Sequence, residues 1–73
     1  MFRVTRKEVE KLRRQYPKGT RVELIFMKDI QAPPPGTCGV IQGVDDAGSL
    51  LVRWNNGSSL SLIYGEDSFR IIE

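Results

Sequence analysis

The chain has 73 residues, no histidine, one cysteine and eleven Lys/Arg against nine Asp/Glu. That length holds one small core and no second one. Lack of histidine removes Ser-His-Asp and Cys-His relays and imidazole metal ligands, and a lone thiol forms no internal disulfide. A non-catalytic binding domain without cofactor or metal is therefore expected, and not an enzyme.

The first element in chain order is a helix over 5–16. Thr5 suits an N-cap, and Glu8 three residues on completes a capping box. Val4 and Val9 stand at the positions of a hydrophobic staple. Val9, Leu12 and Tyr16 recur at helical spacing, so one narrow apolar stripe must dock, because a helix this short is marginal alone. Pro17 and Gly19 end it.

From Thr20 the period changes to two. Val22, Leu24 and Phe26 alternate with Arg21, Glu23 and Ile25, the pattern of a strand with one buried face. Met27 to Gly36 is a loop, stiffened by Pro33, Pro34 and Pro35. Thr37 to Val44 is a second strand in which Gly39 or Gly43 marks a bulge or bend. Asp45-Asp46-Ala47-Gly48 is a hairpin turn, and Leu50, Val52 and Trp54 belong to a third strand. Asn55-Asn56-Gly57 is the strongest hairpin signal, suited to a type I′ turn. Ser59 to Ile63 is expected as a fourth strand, and Phe69 to Ile72 as a short fifth.

Five short strands with tight corners predict a mainly β fold, a sheet rolled into a small barrel over 20–72 after the N-terminal helix, within one domain spanning 1–73. The expected core is Val22, Leu24, Phe26, Val40, Val44, Leu50, Val52, Leu60, Leu62 and Ile71, with Val9 and Leu12 closing one end.

Tyr16-Pro17-Lys18-Gly19-Thr20-Arg21-Val22-Glu23-Leu24, Ala32-Pro33-Pro34-Pro35-Gly36-Thr37, Val44-Asp45-Asp46-Ala47-Gly48, Trp54-Asn55-Asn56-Gly57-Ser58 and Phe69-Arg70-Ile71-Ile72 together resemble an uncharacterised bacterial family. Its members are small SH3-like domains of unknown function, common in Firmicutes, phages and mobile elements. The likeness runs from Lys7 to Ile72, with Asn55 where the family usually has aspartate. It implies a five-stranded SH3-like barrel and that genomic setting, but no activity. A weaker likeness of Val52 to Ser58 and Tyr64-Gly65 is to SH3-like peptide-binding modules of eukaryotic ubiquitin ligases. Gly36 to Ile41 resembles small ribosomal and transcription-factor barrels that touch RNA. Glycine at a barrel corner is a steric requirement in any such fold.

Charge is unevenly spread. Residues 1–21 hold eight basic and two acidic residues, a net of +6, and residues 22–73 hold three basic and seven acidic, a net of −4. Either the two parts attract each other or the basic helix meets an anionic partner. Two sites follow. Tyr64, Trp54, Asn55, Pro33, Pro34 and Pro35 are candidates for a groove that grips a protein or peptide segment or another small ligand; the competing structural roles are a core Trp54 and prolines that only stiffen a loop. Arg6, Lys7, Arg13, Arg14 and Lys18 are candidates for nucleic-acid contacts, on electrostatic grounds alone. Asp45-Asp46 and Glu66-Asp67 are expected to shape turns, and Cys38 to be an inert thiol. A packed barrel of this size is not expected to leave a substrate-sized cavity. No apolar run is long enough for a membrane span, and Met1 to Lys7 lacks the apolar stretch of a signal peptide. A cytoplasmic monomer or weak homodimer is expected.

Overall fold

The computed structural model describes residues 4–72. Residues 1–3 and 73 lie outside it, so the expectation for the N-terminal segment and the charges counted at Arg3 and Glu73 fall outside the described residues. A single helix, α1 (Arg6–Gln15), precedes five strands: β1 (Arg21–Phe26), β2 (Cys38–Val44), β3 (Ser49–Trp54), β4 (Leu62–Ile63) and β5 (Ser68–Ile71). The strands form one antiparallel sheet in the order β4-β3-β2-β1-β5.

The helix begins as its sequence dictates. Thr5 Oγ1 accepts from Glu8 N at 3.2 Å, and Glu8 Oε1 accepts from Thr5 N at 3.0 Å, a complete capping box. The backbone bond from Thr5, then its side chain, holds the Glu8 carboxyl below the usual carboxylate range, and Lys11 adds to this. Val9 and Leu12 are buried, and Val4 packs on the same core. Tyr16 N donates to Leu12 O at 2.8 Å and caps the last turn.

The fold is mainly β, as expected, but hydrogen bonds do not close the sheet into the expected barrel. β4 and β5 are its two edges, and an isolated parallel bridge between Tyr64 and Asp67 lies in the turn that joins them. The fourth strand is also shorter than the Ser59–Ile63 expected. Side-chain bonds hold much of the approach to it: Ser58 N to Asn56 Oδ1, Leu60 N to Ser58 Oγ, and the Trp54 indole N–H to Leu60 O at 2.8 Å.

The core is Val9, Leu12, Val22, Leu24, Met27, Ile41, Val44, Leu50, Val52, Trp54 and Leu62. It departs from the expected set at two bulges. A register shift between Leu24 and Phe26 breaks the alternation of β1, so Phe26 is 56% exposed and Met27 is buried instead. A second shift between Ile41 and Gly43 lets Ile41 and Val44 both face inward, an odd spacing that regular alternation forbids, and leaves Val40 half-buried on the outer face. Ile71, on the edge strand, is 50% exposed, and Leu60 is half-buried beside the core.

Both tight hairpins share one design. Gly48 N donates to Asp45 O and Asp45 N to Ser49 O; Gly57 N donates to Trp54 O and Trp54 N to Ser58 O. In each, the glycine takes a left-handed φ, +84° and +91°. This is a turn followed by a left-handed residue, and not the two-residue type I′ loop expected at Asn55-Asn56-Gly57. Asp45 Oδ1 further accepts from Ala47 N and Ser49 N, and Asp67 Oδ2 from Ile63 N. Both aspartates are thus turn-forming.

Gly39 has a different role. It pairs with Val22 on one side and Trp54 on the other. A Cβ there would stand 2.7 Å from Val52 Cγ1, 2.8 Å from Trp54 Cε3 and 2.9 Å from the Arg53 carbonyl oxygen. The carbonyl cannot yield without moving β3. Gly39→Ala is therefore expected to destabilise the fold by about 2 kcal/mol or more, lowering the thermal midpoint by roughly 8–16 °C. Gln42→Ala, exposed on the same strand, should fall within about 0.5 kcal/mol of wild type in the same melt. Equal midpoints for the two variants would refute the close approach.

Candidate functional site

The helix lies across the β2–β3 turn, held by apolar contact and by one cation. Arg13 Nε and Nη2 both donate to Val44 O, at 3.1 and 2.9 Å, and Nη2 also meets Asp46 Oδ1 at 3.2 Å. The forked guanidinium thus spans the helix and the turn in a way an ammonium does not reproduce. Val4 closes the other end of this junction, its methyl carbons 3.0 Å from where a Gly48 Cβ would stand. At the C-terminal end, the Tyr16 ring meets Tyr64 at 6.0 Å between centroids, tilted, and Phe69 at 5.5 Å, edge to face. Such packing is favourable beyond its area alone.

These contacts leave an open groove of about 1010 Å³ between α1, the β2–β3 turn and the turn after β4. Its apolar floor comes from Val4, Leu12, Ile63 and Tyr64, and its rim carries Glu8, Lys11, Asp46 and Glu66. Space on this scale was not expected for so small a domain. It arises because it lies outside the sheet, where the helix bridges two turns. Tyr64 is 48% exposed, so its ring is both packed against Tyr16 and open to a partner.

The groove is not the one expected from the sequence. Tyr64 lines it, but Trp54, Asn55, Pro33, Pro34 and Pro35 do not. Trp54 is 1% exposed, a core residue whose indole is already hydrogen-bonded. The proline loop is folded back along β1, where Leu24 N donates to Thr37 O and Gly36 N to Leu24 O. Pro33 is buried there, and Pro34 O accepts from Thr37 N and Oγ1. Asn55 is exposed but sits at the far end of β3, its N–H bound to Cys38 O. Sequence reasoning missed the helix flank. Glu8, Lys11 and Gln15 recur at helical spacing beside Leu12, and that pattern was the available signal.

Of the helix cations, Arg13 is committed to the fold. Arg6, Lys7, Arg14 and Lys18 are exposed and form no ion pair among the described residues. On the outer sheet face Arg70 pairs with Glu23, Nε to Oε1 at 2.7 Å. Cys38 is half-buried with its Sγ 3.9 Å from Gly36 O. Among the described residues no group of three or more Cys, Asp or Glu is placed to hold a metal ion, and no helix is long and apolar enough to cross a membrane.

Burial raises the Tyr16 phenol above its ordinary pKa, and the neighbouring Tyr64 phenol adds to the rise. The folded state thus favours neutral Tyr16. Stability from this source is whole below the unfolded value near pH ~10 and is lost as pH rises through the folded one. The stability loss above pH ~10 should be smaller in Tyr16→Phe than in wild type, read from denaturant midpoints across that range. Identical slopes would place the phenol in water in both states.

Residues 5–72 match the family model of a domain of unknown function (DUF4314), and the chain belongs to that family. No curated protein matches the sequence.

Proposed function

We propose that this DUF4314 domain is a non-catalytic binding module whose groove between α1 and the β4–β5 turn takes a segment of a partner protein. The observation that carries this reading is the half-exposed pair Ile63 and Tyr64 on the floor of a groove walled by a firmly anchored helix. Exposed aromatic and aliphatic side chains in a preformed concavity are where binding energy concentrates. Preorganisation by Arg13, Val4 and the capping box limits the ordering cost on binding. In the bacterial, phage or mobile-element setting that the resemblance implies, such a module would serve as a cytoplasmic adaptor or inhibitor.

Selection from a displayed library of random twelve-residue peptides tests the reading without a known partner. Peptides so obtained should perturb the amide resonances of Gln15, Ser49 and Tyr64. Tyr64→Ala should weaken them by roughly tenfold or more, the loss of one aromatic anchor. A library yielding no binder, or binders indifferent to Tyr64→Ala, would count against the groove.

A second reading rests on the free cations. Lys7 and Arg14 stand on the side of α1 opposite Val9 and Leu12, and Lys18 follows them. These cations suit a phosphate backbone. Binding of mixed single- and double-stranded oligonucleotides, followed by anisotropy, should then collapse between ~50 and ~200 mM salt and disappear in Lys7→Glu/Arg14→Glu. Arg13 is kept in that variant because it holds the β2–β3 turn. Absence of binding at both salts would leave these cations as solvated surface.

A further inference from the structure

A second depression of about 320 Å³ lies next to the groove, with Met27, Leu60 and Ile63 as its apolar part. The two share Ile63 and Glu66, so a single wall at the β4–β5 turn divides one continuous track. The charges along this track are lopsided. Among the described residues, Glu8, Asp29, Glu66 and Asp67 line it without an ion-pair partner within 4 Å, against Lys11 and Lys28, while Asp46 is already matched by Arg13. Glu8, Asp29 and Asp67 accept bonds from neutral donors of their own turns, and these satisfy oxygens without cancelling charge. Four unpaired carboxylates against two lysines leave the track negative on a chain whose formal charge is +2.

Resting on the groove reading above, we infer that the track takes an extended cationic segment, with a Lys or Arg set over Glu66 and apolar side chains entering the depressions on either side. Glu66 suits that position: it is exposed, it stands on the shared wall, and its side chain has no bonded partner in the described chain. Apolar floors on both sides of one acid favour a segment with apolar residues flanking the cation over a run of lysines. Charge complementarity of this kind sets partner choice and encounter rate more than total affinity.

The test uses the same random twelve-residue peptide library against the full chain. Enriched peptides should carry Lys or Arg between apolar residues and weaken several-fold between ~50 and ~500 mM salt. Glu66→Gln should reduce their affinity roughly two- to fivefold, and Glu66→Lys by more than about tenfold. Both variants should keep the wild-type melting curve, since Glu66 contributes only its backbone N–H to the turn. Peptides that need Tyr64 but ignore Glu66→Lys, or that enrich acidic residues, would overturn the cationic assignment and leave the groove standing. Peptides that ignore Tyr64→Ala would overturn the groove and this inference with it.

Discussion

The indole of Trp54 sits where the rest of the structure is decided. Its ring can be buried only because β2 presents Gly39 opposite it, since any side chain there would meet Val52, the indole and the Arg53 carbonyl at once. Burial then obliges the indole N–H to find an acceptor, as an unpaired donor in the core costs about 1–3 kcal/mol. It finds Leu60 O at 2.8 Å. That bond fixes the path of the loop after β3 and delivers Leu62 to the core beside Leu50. With Leu62 inward, Ile63 must point outward, and Tyr64 and Glu66 follow in the turn. The positions of Ile63, Tyr64 and Glu66 along the groove are thus set by a packing contact within the core.

The helix supplies the opposite wall by a separate logic. Ten helical residues do not sustain themselves in water, and the capping box adds only about 1 kcal/mol. Val9 and Leu12 provide the burial, and Arg13 provides the direction, because a forked pair of bonds to one carbonyl restricts rotation as well as distance. Val4 against Gly48 pins the entering chain at the other end. Tyr16, packed between Tyr64 and Phe69, ties the helix exit to the turn that carries Glu66. Three separate contacts therefore set the groove width, so it is preformed and not opened by a ligand.

How much of this was legible in the sequence depends on the range of the signal. Thr5-x-x-Glu8, Pro17 and the change of period at Thr20 are local, and they located α1 and β1 to within a residue. The core list failed where the period itself breaks. Phe26 and Val40 obey strict alternation and were expected inside, whereas bulges turned Met27 and Ile41 inward. A bulge is chosen by how two strands fit together, and neither strand announces it alone. Trp54 was ambiguous for a related reason, because the glycine that makes room for it stands fifteen positions earlier on another strand. Of the expected groove residues only Tyr64 lines the observed one. The flank Glu8, Lys11 and Gln15 carried no meaning until the position of α1 over the β2–β3 turn was known.

The charge asymmetry of the chain is largely unspent within the fold. A net of +6 in the first 21 residues against −4 in the remainder suggested that the two parts attract each other. Among the described residues, only Arg13–Asp46 joins a helix cation to an acid of the later chain. Lys7 and Arg14 are exposed on the side of α1 away from Val9 and Leu12, whereas Lys11 and Glu8 both line the groove. Exposed charges act over only ~8 Å in physiological salt, so Lys11 beside Glu8 on the groove rim offsets part of that rim's charge, while Lys7 and Arg14 are left without a matching acid among the described residues.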